Sequence, residues 1–161
     1  MNLPEEKGTY VLVLQVPQMK RIKIGRLGTF DVAPGFYAYV GSAWGPGGLR
    51  ARLDHHIEAV AAPHWHIDYL MGCATPLEVW CAMSDRKLER DWVDLLEEEP
   101  RFTCPIPRFG SSDYRRSRTS HLFFTRRRPS FGWFEQRVRE VFQPHIKVWL
   151  AAMTGDEARV R

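Results

Sequence analysis

Apolar and polar residues alternate along the first half of the chain in a way that predicts strands. Thr9 to Val16, TYVLVLQV, is a run of β-branched, aromatic and aliphatic residues with one polar interruption at Gln15, and Pro17 stops it. Arg21 to Gly25 alternates as RIKIG, with Ile22 and Ile24 on one face, and Leu27-Gly28 turns the chain towards Phe30 and Val32. After Pro34-Gly35, Tyr37 to Val40 reads as an uncharged strand, YAYV. Leu77 to Met83 sets Leu77, Val79, Cys81 and Met83 against Glu78, Trp80 and Ala82, which predicts a third central strand. The amino-terminal third therefore predicts a small, mainly antiparallel sheet.

Elsewhere the period lengthens to that of a helix. From about Gly48 to Val60, Leu49, Leu53 and Ile57 share one face, leaving Arg50, Arg52 and His56 elsewhere on the cylinder, the last two on neighbouring turns. Asp85 is placed to cap a helix running to about Glu98, whose apolar face is Leu88, Trp92, Leu95 and Leu96, with Glu89 at its border. Ser130 to Met153 reads as amphipathic helices divided at Pro144, with Phe134, Val138, Val141 and Phe142 before it and Ile146, Trp149 and Leu150 after. The final TGDEARVR is expected to fray. The fold class is α/β in the α+β sense: a small antiparallel sheet flanked by helices, with an extra amino-terminal hairpin. Residues 1–128 form the domain and residues 129–161 a helical tail packed on it.

Composition narrows the class. At 161 residues the chain is long enough for one domain with a core, and 44% hydrophobic with 26% charged residues is an ordinary soluble composition. A net charge of +4 points to a polyanionic partner. No apolar run approaches the roughly 20 residues a membrane span needs. The start, MNLPEEKGTY, lacks the basic and apolar regions of a secretory leader, so a cytoplasmic location is expected. Cys73, Cys81 and Cys104 form no CxxC pair, which predicts reduced, buried thiols and argues against structural zinc.

Three stretches carry candidate chemistry. Gly41, Gly45, Gly47 and Gly48 break the chain before a helix, where free N–H groups, the helix dipole and an arginine suit a phosphate; the commoner explanation of such a turn is a tight strand-to-helix connection. His64 to Met71, HWHIDYLM, places His64, His66 and Asp68 on one face if it is a strand, a possible metal cluster. As a helix between Pro63 and Gly72 it pairs His64 with Asp68 and turns His66 away, and the punctuation favours the helix. Arg115 to Arg128, RRSRTSHLFFTRRR, flanks HLFF with six arginines, which fits contact with phosphates and bases, or a soluble edge strand.

Gly8-Thr9-Tyr10, Tyr39-Val40-Gly41-Ser42, Arg52-Leu53 with His56, and Glu89 with Trp92 resemble, in order and in element type, the motifs of the GIY-YIG nuclease superfamily. GTYVLVL, GFYAYVGSAWGPGGLRARLDHH, PHWHIDYL and FGSSDY with HLFF are similar to its Uri-type or DUF123 subgroup, from Gly8 to Phe124. The resemblance implies a metal-dependent endonuclease that hydrolyses phosphodiester bonds with one divalent cation, Mg²⁺ or Mn²⁺. Tyr10, Tyr39, Arg52, His56 and Glu89 would be catalytic, with Glu89 holding the metal. His64 and His66 lie where some members have a further active-site histidine. The expected partner is nucleic acid, in the first instance DNA, met by Arg50, Arg115, Arg116, Arg118, Arg126 and Arg127, with no membrane involved. Two other functions stay open: a nucleic-acid-binding module of the same fold that cuts slowly or not at all, and a zinc hydrolase built on His64, His66 and Asp68.

Overall fold

The computed structural model describes residues 3–58, 61–111, 120–142 and 146–152. Arg115, Arg116 and Arg118 of the expected basic stretch, and the carboxy-terminal TGDEARVR, lie outside these residues. The frame is a five-stranded sheet with β1 (Gly8–Val16) at its centre. β4 (Gly35–Ala43) and then β6 (Leu122–Thr125) lie on one side of it, β5 (Thr75–Met83) and then β7 (Trp149–Ala152) on the other. Every pairing is antiparallel. The hairpin expected from RIKIGRLGTFDV forms a separate two-stranded sheet, β2 (Lys20–Ile24) with β3 (Gly28–Val32).

Period-two alternation loads both faces of the larger sheet. Tyr10, Leu12, Leu14 and Val16 enter one core with Tyr37, Tyr39, Val79 and Cys81; Val11 and Val13 enter the other with Ala38, Val40, Trp80 and Ala82. Gln15 is the one exposed residue of β1. The first core is closed by α1 (Gly48–Glu58), by α2 (His66–Met71) and by Ile24 and Val32 of the hairpin. The second is closed by Trp92 and Leu96 of α3 (Glu89–Glu97) and by Phe134 and Val138 of α4 (Phe131–Phe142).

Several boundaries differ from expectation, each for a local reason. α3 begins at Glu89, and Asp85 is not its cap: the Leu88 N–H just before the helix donates to Thr9 Oγ1 of β1 at 3.2 Å. The segment after Pro144, expected to be helical, contains β7. Its aromatic and aliphatic residues pair with Glu78 to Cys81 and satisfy what would otherwise be an open edge of β5. Cys81 is buried as expected, whereas Cys104 is exposed, and none of the three cysteines is in a disulfide. Among the described residues no helix is long and apolar enough to cross a membrane.

The glycine-rich turn is a tight connection, not an anion cradle. The N–H groups of Leu49 and Arg50 donate to the carbonyls of Glu6 and Pro4, each at 3.0 Å, so the amino end of α1 is capped by backbone from the start of the chain. The Arg50 guanidinium, expected to meet nucleic acid, is held by the same segment, through Leu3 O at 2.9 Å and Glu5 at 2.6 Å. Gly48 makes this approach possible: its φ is +53°, and a Cβ there would collide with the carbonyl oxygens of Glu5 and Glu6. Gly48→Ala is therefore expected to destabilise the fold by roughly 2–4 kcal/mol, from strain plus displacement of that segment. Gly45, with open space around it, should tolerate alanine to within about 0.5 kcal/mol. Urea unfolding midpoints check the pair, and equal midpoints would contradict this account.

Candidate active site

Tyr10 and Tyr39 project from neighbouring strands into the α1-covered core, with ring centroids 6.3 Å apart. Tyr10 lies directly opposite Gly41, and its ring occupies the space a side chain at that position would fill. α1 packs on this face of the sheet. Its residue His56, one of those the family resemblance marks as catalytic, is 1% exposed and makes the central contact of the site.

The Tyr10 hydroxyl lies 2.7 Å from His56 Nε2, and His56 Nδ1 lies 2.7 Å from Asp68 Oδ1. Asp68 is in turn fixed by α2: as the third helical residue it accepts the backbone N–H groups of Trp65 (2.8 Å) and His64 (3.0 Å) on Oδ2. The His56 hydrogen bond, with these two donors, holds the Asp68 carboxyl below its ordinary value of 3.8 despite burial. An ionised Asp68 accepts from Nδ1–H, which leaves Nε2 free to accept the Tyr10 O–H. Burial holds the His56 imidazole below its ordinary 6.5, the opposing pull of Asp68 being smaller, so the ring is neutral at pH 7. Both groups tie stability to pH in the same direction. The His56 contribution is complete above 6.5 and declines as pH falls below it, and that of Asp68 is lost as pH falls below 3.8.

Arg52 and Glu89 reach this cluster from different elements. The Arg52 guanidinium stacks over the Trp65 ring at 4.2 Å, which fixes its position. Glu89 is the first residue of α3, at the end of the sheet where β1 begins. Desolvation raises the pKa of both phenols, and the two charges act on both in opposite senses: the Arg52 guanidinium lowers each, and the Glu89 carboxylate raises each. The net result is upward for Tyr10 and Tyr39, so neither ionises unaided near neutral pH. The Glu89 carboxylate also faces His121, whose Nδ1 is 3.5 Å from Oε1.

The remaining candidates are dispersed. His64 is exposed, and His66 Nδ1 accepts the Gly110 N–H at 3.0 Å. With Asp68 engaged by His56, the three do not converge, and no group of three or more His, Cys, Asp or Glu among the described residues could hold a metal. That removes the basis for the zinc-hydrolase alternative. Arg126 and Arg127 are exposed and border a groove with Arg101 and Phe124. They follow β6 at the end where Thr125 pairs with Phe36, whereas Leu122 at its other end pairs with Tyr39.

Sequence reasoning missed the relation of Asp68 to His56, the platform role of Trp65, and His121. The first two had a faint signal in PHWHID, where an aromatic sits between histidines and ahead of an acid. For His121 nothing in the spacing marks it, because it meets Glu89 only through the pairing of β4 with the segment entering β6.

No curated protein and no solved structure matches the chain. A family model described as a domain of unknown function, DUF123, matches residues 9–143, from the central strand through α4. The site lies wholly within those residues, and the chain belongs to the DUF123 family.

Proposed function

We propose that this protein is a GIY-YIG-type endonuclease that hydrolyses phosphodiester bonds in nucleic acid, DNA in the first instance, with one divalent cation. The observation that carries the reading is the hydrogen-bonded line Asp68–His56–Tyr10, set beside an arginine and a carboxylate whose charges both act on the two phenols. Order and element type of the motifs support the superfamily assignment, since Tyr10 and Tyr39 stand on paired strands, Arg52 and His56 on the following helix and Glu89 on a later one.

The donor set at Glu89 fits a divalent cation. Its carboxylate is partly exposed, no lysine or arginine pairs with it among the described residues, and a buried imidazole nitrogen without a hydrogen-bond partner faces it. A cation held there supplies Lewis-acid charge to the phosphate and the leaving oxygen. The chain's own groups do the rest. Arg52, fixed on Trp65, would stabilise the negative charge that develops as water attacks phosphorus, an effect that grows as water is excluded. The Tyr10 oxygen takes the proton of the attacking water while its own proton passes to His56 Nε2. Asp68 holds Nδ1–H and balances the imidazolium that results, the division of labour of a hydroxyl–imidazole–carboxylate triad with a phenol at its head. Tyr39 packs beside Tyr10 and edge-on to His56, keeping both rings in place.

Incubating the full chain with plasmid, single-stranded, branched and RNA substrates and Mg²⁺ or Mn²⁺ should reveal nicking. Glu89→Ala and Arg52→Ala are each expected to reduce it by about 10²-fold or more. If wild type cuts nothing that these variants spare, yet binds with a steep salt dependence, the protein is a binding module instead.

The relay makes a separate prediction about pH. His56 serves only when neutral, so the acid limb of kcat should fall below pH 6.5. Asp68→Asn should lower kcat by roughly 10²- to 10⁴-fold through loss of the tautomer and of charge balance, with substrate binding little changed. An acid limb above pH 7, or undiminished kcat in the Asp68→Asn variant, would remove Tyr10 and His56 from proton transfer.

A further inference from the structure

We propose that the imidazole of His121 joins the Glu89 carboxylate as a second donor to the cation, making this a mixed nitrogen and oxygen site that takes Mn²⁺ in preference to Mg²⁺. The assignment deepens the nuclease reading and rests on it for what the cation does, whereas the site itself rests on geometry.

His121 is 7% exposed, and its Nδ1 is buried with no hydrogen-bond partner. Leaving a polar atom in that condition is costly unless something outside the polypeptide meets it. The Glu89 carboxylate faces it, with Oε1 3.5 Å away. That is beyond the roughly 2.7–3.2 Å range of an N–H···O hydrogen bond, so the pair does not satisfy itself. Two donors this close, one nitrogen and one oxygen, can ligate one ion together after a small side-chain adjustment.

The imidazole cannot readily swing away. The His121 N–H donates to Phe109 O at 2.8 Å, and its carbonyl accepts the Val40 N–H at 2.9 Å, so the backbone is tied on both sides. Its Cβ lies against Gly110, where any added side-chain carbon would come within 3.0 Å of it and within 3.1 Å of the Tyr39 ring. Gly110 has φ +78°, a conformation natural to glycine. A ligand fixed in this way has little freedom to lose on binding, and coordination through Nδ1 leaves the proton on Nε2. Imidazole is a better donor to later first-row ions than to Mg²⁺, which prefers oxygen ligands and retained water.

Metal binding without nucleic acid tests the assignment. Isothermal titration of the full chain should give an affinity for Mn²⁺ roughly tenfold or more above that for Mg²⁺. His121→Phe should lower Mn²⁺ affinity about 10- to 100-fold and change Mg²⁺ affinity less than about threefold. Glu89→Gln should weaken both. Because the phenylalanine variant can fail to fold, pulsed electron paramagnetic resonance on Mn²⁺-loaded wild type provides a second reading, in which coupling to an imidazole nitrogen is expected. Absence of that coupling, or unchanged Mn²⁺ affinity in folded His121→Phe, overturns the proposal. Nitrogen coupling in a protein that cuts no substrate would sink the nuclease reading alone. Cleavage without nitrogen coupling would sink only the role of His121.

Discussion

Everything in this molecule that resembles chemistry depends on the register between β1 and β4. With a period of two, a slip of one residue in that ladder would turn Tyr10 or Tyr39 into the opposite core, among Trp80 and Phe134, and leave a valine or alanine facing His56. Two things prevent it. β1 is buried on both faces, so a slip would misplace side chains on two sides at once. Gly41 also leaves a hole matched to the Tyr10 ring, and no other residue of β4 next to it offers one. The register is thus set by packing, and the hydrogen bond to His56 inherits its geometry from it.

A buried line of polar groups is costly unless each member is satisfied. Here the line ends on backbone: Asp68 takes two amides from the turn entering α2, and no cation is needed in the core to hold it. Trp65 serves both sides of the arrangement, donating its N–H to Asp68 and presenting its ring to Arg52, His55 and His56. A helix as short as α2 is not stable alone, and it persists because Ile67, Leu70 and Met71 are buried in the first core.

Much of the fold was legible in the chain. TYVLVLQV and YAYV announced themselves by β-branched and aromatic composition and LEVWCAM by alternation, and all three are central strands. Two kinds of information were not legible. Where a helix end finds its hydrogen bonds depends on a distant backbone, so the capping of α1 by Pro4 and Glu6 left no trace in GPGGLR. Edge strands form by opportunity, and Trp149 to Ala152 joined β5 despite a pattern that suited a helix. For the site, the pair Arg52 and Glu89 came from motif order, whereas His56 with Asp68 required tertiary structure, since the two stand on separate helices and no local period links them.

The capping of α1 also has a practical side. Pro4 and Glu6 lie far along the sequence from Arg52 and His56, yet their carbonyls brace the helix that carries both, and Leu3 is sunk in the core beneath it. A proteolytic nick before Lys7, or a bulky fusion forced against Leu3, would therefore act as remote damage, loosening the helix at its amino end while leaving every polar side chain of the cluster chemically intact.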